Sequence, residues 1–189
     1  GKISDFSIYY FDSLFLQSTA FFLFFLIIST TISLPISYYS VFTIEEKYGF
    51  NKTTKITFLK DKIKGLLMSL IIGGFILFVS IQIYILFGAN FWLWLWLFLS
   101  VFLILTNMFY TTLIVPIFNK LSPLEEGSLK NKIEEYSKKI GYSLDKIFVI
   151  DGSKRSSKAN AFFSGLGPKK TIALFDTLID KHEEDELVA

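Results

Sequence analysis

Long runs without a charged residue alternate with short charged segments through the first 118 residues. Ser13 to Ile44, Gly65 to Phe87 and Phe91 to Phe118 are the uncharged runs. Each exceeds the roughly 20 residues a helix needs to cross the hydrocarbon core of a bilayer. Three such helices in a soluble protein would need a very large apolar domain to cover them. The pattern therefore predicts three membrane spans, at about 14–38, 65–87 and 91–117, with a loop over 43–64. Pro35 interrupts the hydrogen-bond ladder and predicts a kinked continuation of the first span to Tyr39. Gly88, Ala89 and Asn90 leave room only for a tight turn, so the second and third spans form an antiparallel hairpin. Trp92, Trp94 and Trp96 mark a membrane interface, and their spacing requires at least one to pack inward.

After Asn119 the pattern becomes that of a small water-exposed domain. Leu129, Ile133, Tyr136 and Ile140 recur at helical spacing, with Ser128 as N-cap and Gly141 as C-terminal cap. Ile147 to Ile150, Lys158 to Phe163 and Thr171 to Phe175 read as strands, separated by turns at Gly152–Ser157 and Gly165–Pro168. Asp176 or Thr177 caps a short helical turn through Ile179, and a further helix begins near Glu183. The expected fold is a mainly α membrane protein: three transmembrane helices followed by a small α+β segment with a short antiparallel sheet. The expected division is a transmembrane part over 1–118 and the start of a soluble domain over 119–189.

Composition sharpens this picture. Hydrophobic residues make up 52%, phenylalanine alone occurs 22 times, and most charges lie after Asn119. A net charge of +2 is too small to imply nucleic acid as a partner. There is no cysteine, which removes disulfides and thiolate ligands and fits a reducing compartment. No basic segment precedes an apolar core and a small-residue cleavage site, so no signal peptide is read, and the start at Gly1 reads as a cut inside a longer protein.

Candidate chemistry is sparse. His182 is the one histidine, and zinc takes about four N, O or S ligands. Its place before Glu183, Glu184, Asp185 and Glu186 suits a surface residue at a helix start, the acids favouring that terminus through the macrodipole. Glu125 and Glu126 read as a solvated helix start, while Glu45 and Glu46 lie among lysines with which they can pair. No nucleophile elbow and no phosphate-binding glycine loop is present. These residues alone imply a membrane segment with an α+β attachment and do not imply a reaction.

Longer stretches carry a resemblance. Glu45 to Asn51, reading EEKYGFN, resembles a loop of the CAAX prenyl protease type I family, membrane zinc metallopeptidases of the M48 type. Pro116 to Gly127 (PIFNKLSPLEEG), Phe148 to Phe163 (FVIDGSKRSSKANAFF) and Thr171 to Ile179 (TIALFDTLI) are similar to that family in the same order and spacing. The resemblance implies an endopeptidase whose metal motif, H-E-x-x-H, follows Ala189, with Leu187-Val188-Ala189 resembling the phrase that precedes it. Two histidines at i and i+4 then share one zinc, the glutamate activates water, and a downstream glutamate is the third ligand. On this reading the chain holds no catalytic residue and no metal ligand, and alone it is inactive.

What the resemblance does place in the chain is a substrate edge: Asn160, Ala161 and Phe162, lying along the cleft and pairing with an extended peptide backbone. The structural alternative is a hairpin whose Phe162 and Phe163 only pack. The implied partners are a peptide or protein substrate, prenylated or not, and the lipid bilayer. Many eukaryotic members carry His-Ser where Lys158-Ala159 stands here, which points to a bacterial relative in the inner membrane; in a eukaryote the membrane is that of the endoplasmic reticulum. Two alternatives stand beside this reading, an HtpX-like quality-control peptidase and a non-enzymatic scaffold or transporter fragment.

Lysine placement sets the orientation. Lys47, Lys52, Lys55, Lys60, Lys62 and Lys64 lie between the first two spans, whereas the Gly88–Asn90 turn carries no charge. The positive-inside rule puts the lysine-rich segment in the cytosol, and the even number of crossings that follows returns residues 119–189 to the same side. Because the chain has no native cysteine, single cysteines can report this directly. With only the cytosolic face of the membrane exposed to an impermeant thiol reagent, Ser153→Cys should be labelled and Ala89→Cys spared; the opposite labelling reverses the orientation.

Overall fold

The structure, a computed structural model, describes residues 8–188. Lys2 and Asp5 near the start, and Ala189, lie outside the described residues. The chain forms two compact units. One comprises the residues up to Ile44 with Leu59–Val101; the other comprises Glu45–Phe58 with the residues from Phe102 onward.

The first unit is helical. Helix α1 (Leu14–Tyr39) starts where the Ser13 hydroxyl accepts the Leu16 N–H at 3.2 Å. Pro35 lies inside α1 without ending it, and the helix widens into a π-helical turn at Ser40–Glu45. Helix α2 (Lys55–Phe87) begins ahead of the uncharged run because Thr54 Oγ1 accepts the Thr57 N–H at 3.1 Å. The stretch expected as a loop over 43–64 is therefore helical from Lys55. A turn at Gly88–Asn90, with Gly88 at φ 50°, leads into helix α3 (Phe91–Phe109).

Among the described residues two helical runs are long and apolar enough to cross a membrane, Leu14–Glu45 and the 64 residues of Lys55–Phe118. The second run folds back on itself. The Phe75 and Phe98 ring centroids are 6.1 Å apart, whereas 23 residues of straight helix would separate them by about 35 Å. Trp94 stacks on Phe87 at 4.5 Å and, at 42%, is less exposed than Trp92 and Trp96. A Cβ on Gly73 would sit 2.6 Å from the Phe22 ring, so this glycine lets α1 and α2 approach closely.

The second unit is built on a four-stranded sheet. Its strands are β1 (Leu121–Pro123), β2 (Leu144–Ile150), β3 (Ala161–Ser164) and β4 (Lys170–Phe175), in the order β1-β2-β4-β3. The sheet is mixed, which corrects the expected antiparallel one: β2 and β4 run parallel, while β1 and β3 flank them antiparallel. The segment between β2 and β4 carries β3 to the far side of β4, so β4 enters beside β2 in the same direction.

Side chains alternate across this sheet. One face gathers Leu121, Ile150, Ala173, Phe175 and Phe162 against Val115 of helix α4 (Val115–Phe118). The other gathers Ile147, Ile172 and Leu174 against Ile133 of helix α5 (Ser128–Lys139). Leu178 and Ile179 of helix α6 (Asp176–Ile179) and Val188 of helix α7 (Glu184–Val188) complete that second cluster.

Ser128 is not the N-cap of α5. Gly127 occupies that position, and the Ser128 hydroxyl donates to Glu184 Oε1 on α7. Lys132 ties the same helices together, at 3.0 Å from Glu184 and 2.8 Å from Asp185. The Ser128 hydrogen bond, then Lys132, holds the Glu184 carboxyl below its ordinary pKa. The acidic run thus fastens α7 to α5 in addition to favouring a helix start.

Gly165 has φ 86°, and a Cβ there would lie 1.9 Å from the Lys169 carbonyl oxygen. Left-handed strain alone costs about 1–3 kcal/mol, and the clash adds to it. Gly165→Ala should lower the thermal midpoint of the full-length protein by several degrees. Gly65→Ala, which meets nothing within 4 Å, should leave it unchanged or raise it.

Candidate functional site

The three residues singled out from the sequence lie at the margin of the sheet. Among the described residues β3 pairs only with β4, so its other side is an open edge. The Phe175 N–H donates to the Asn160 carbonyl at 3.0 Å, which fixes the alternation along the strand. Asn160, Phe162 and Ser164 turn their backbone groups toward β4, and Ala161 and Phe163 turn theirs outward. Asn160 Oδ1 accepts the outward Ala161 N–H at 2.9 Å. The open edge therefore presents the Ala161 carbonyl and both backbone groups of Phe163.

Side chains explain how this edge is held. Phe162 points into the first core cluster, where its ring meets Tyr110 edge-on at 5.7 Å and Phe175 at 6.4 Å. The Ser164 hydroxyl is hydrogen-bonded to that of Thr111, in a π-helical turn at Tyr110–Ile114, and both residues are buried. Ala161 and Phe163 lie on the opposite face and border an apolar groove of about 530 Å³, lined also by Ile140, Ile172 and Leu187. Phe163 is 67% exposed and meets Tyr142 edge-on at 5.9 Å. Burial raises the pKa of the Tyr142 hydroxyl.

The approach to the edge is clamped by residues far away in sequence. The Lys52 N–H and the Thr53 hydroxyl each donate to the Arg155 carbonyl at 3.0 Å. The Ser157 N–H donates to the Phe50 carbonyl at 3.0 Å and the Ser157 hydroxyl to the Gly49 carbonyl at 3.1 Å. Lys158 Nζ lies 2.7 Å from Glu45 Oε1 and 5.0 Å from the centre of the Phe50 ring. From the other side, the Thr177 hydroxyl donates to the Lys158 carbonyl at 2.8 Å.

Glu45 thus pairs with a lysine 113 residues away. Glu46 accepts from Asn51 Nδ2 at 2.7 Å. Glu45, Phe50 and Thr111 escaped the sequence reading as contributors to this site. Only the EEKYGFN and KANAFF stretches hinted at a connection, and their separation hid it.

Among the described residues no group of three or more His, Cys, Asp or Glu is placed to hold a metal. His182 Nδ1 is 3.3 Å from Glu186 Oε2 at the start of α7. Asp151 accepts the Lys120 N–H, and Asp176 accepts the Ser153 and Thr177 N–H groups; these are structural uses of carboxylates.

Residues 1–120 match the model of the CAAX prenyl protease N-terminal region, described as five membrane helices, and residues 123–189 match peptidase family M48. The chain belongs to the CAAX prenyl protease family. Within it, CAAX prenyl protease 1 of Saccharomyces cerevisiae is 47% identical over 163 residues, covering 86% of this chain and 36% of that protein. The CAAX prenyl protease 1 homolog of Mus musculus is 40% identical over 167 residues, covering 88% of this chain and 35% of that protein. The crystal structure of S. mikatae Ste24p superposes with a TM-score of 0.88 at 41% identity, over 98% of this chain and 45% of that one. The chain thus spans less than half the length of these family members.

Proposed function

We propose that the protein carrying this chain is an integral-membrane zinc endopeptidase of CAAX type that trims the C-terminal end of prenylated proteins. The open edge of β3 carries this reading. In a domain of peptidase family M48, it offers an extended peptide the Ala161 carbonyl and the Phe163 N–H and carbonyl, while Phe162 and Ser164 anchor the strand from behind. Adding a strand to such an edge aligns a peptide through its main chain, and the side chains then select it. Ala161, with its small side chain, permits close approach. The peptide-cleaving chemistry falls to zinc and to residues other than those described here.

The membrane part is proposed to cross three times, at about 14–38, 65–87 and 91–117, with the second and third crossings joined at Gly88–Asn90. The ring contacts across that turn support this reading. The soluble part, from residue 119, is proposed to begin the peptidase domain and to face the cytosol with the lysine-rich segment. The eukaryotic relatives favour the membrane of the endoplasmic reticulum over a bacterial inner membrane. They also favour CAAX processing over HtpX-like quality control or a scaffold.

Peptide cleavage by the full-length protein, measured with zinc content and thermal stability, tests the edge. A chelator should abolish turnover. Ala161→Pro places a ring on the edge and should lower turnover at least ten-fold with zinc retained. Lys169→Ala on the neighbouring turn should cleave normally. A folded Ala161→Pro enzyme with normal cleavage would contradict the substrate edge, and one that unfolds and loses zinc would make the strand structural.

A further inference from the structure

We propose that Lys158, held by Glu45 across 113 residues of sequence, is a positioning residue for the open edge of β3. The role rests on the substrate reading above. Lys158 lies two residues before Asn160, where the strand begins to pair with β4. The backbone of Arg155–Lys158 is already gripped by the 49–53 loop on one side and by Thr177 on the other. The Glu45–Lys158 pair adds an ionic contact to this grip, and the Phe50 ring beneath the ammonium limits where it can swing.

Partial exposure decides what this contact can do. The Lys158 side chain is 49% exposed and that of Glu45 is 30%, so the pair is screened and adds little to global stability. Its effect falls locally, on the fraction of time the lead-in holds β3 in its paired register. A peptide that adds to the edge needs that register. Any loss of the competent population weakens apparent binding in proportion, leaving the step after binding untouched. The same contact gives the EEKYGFN loop a purpose: it brings Glu45, Gly49 and Phe50 against the strand that leads into the edge.

The test uses the full-length protein with a prenylated CAAX peptide, together with hydrogen exchange of the 160–164 backbone, which needs no activity. Glu45→Gln and Lys158→Gln should each raise KM about three-fold with kcat within two-fold, and each should speed exchange at 160–164. Lys158→Arg keeps both the charge and the ring contact and should behave as wild type. The exchanged pair, Glu45→Lys with Lys158→Glu, should recover most of the KM and exchange of either single variant. Unchanged exchange and KM in both neutral variants would overturn the proposal. So would equal falls in kcat, zinc content and thermal midpoint, which mark a general structural role. A wild-type protein that cleaves no peptide overturns the peptidase reading alone. The exchange data then decide the positioning role, for it if exchange quickens in both neutral variants and against it if it does not.

Discussion

A strand at the margin of a sheet leaves every second pair of its backbone N–H and C=O groups without a partner, and the arrangement of the second unit follows from where that margin is placed. Both faces of the sheet carry apolar clusters, against Val115 on one side and against α5, α6 and α7 on the other. One margin is the three-residue β1, whose Pro123 has no N–H to offer. The other is β3, which has no proline and keeps the outward groups of Phe163 open. Exposed edges invite unwanted pairing and are ordinarily blunted. Here the blunting is partial: Asn160 Oδ1 takes the Ala161 N–H and leaves the next positions available.

An edge that recruits a peptide must be held still by something other than the peptide. Three anchors act on β3 from behind and from its start: the Phe162 ring among Tyr110 and Phe175, the buried Ser164–Thr111 contact, and the clamp of the 49–53 loop on Arg155–Lys158. Tyr110, Thr111 and the 49–53 loop, which receive these contacts, are all distant from β3 in sequence. The π-helical turn at Tyr110–Ile114 is part of this arrangement, because Thr111, the partner of Ser164, is one of its residues. Such turns interrupt a regular helix and recur at functional sites.

Much of the fold was legible where local chemistry decides it. The uncharged runs, the helix over Ser128–Lys139, the three longer strands and the left-handed cap at Gly141 follow from periodicity and residue type. What stayed hidden depends on contacts across the chain. The parallel pairing of β2 with β4 requires β3 to be set aside first, which no spacing reveals. Ser128 reads as a cap by residue type, but Glu184 competes for its hydroxyl. Strand β1 is too short, and too marked by proline, to register as a strand. Thr54 starts α2 among lysines because a charged helical turn can stand outside the apolar layer. The proposed substrate edge was legible only through resemblance: Asn160, Ala161 and Phe162 carry no reactive group, and the role proposed for them lies in backbone groups that every residue shares.

The central claim is that a peptide adds to β3 as a new strand. A structure of the full-length protein, with zinc removed to prevent cleavage and a prenylated CAAX peptide bound, addresses it directly. The account predicts peptide main-chain hydrogen bonds to the Phe163 N–H and carbonyl and to the Ala161 carbonyl, with Phe162 and Ser164 unmoved. A peptide bound elsewhere, with the outer edge of β3 covered by another segment of the protein, would contradict it.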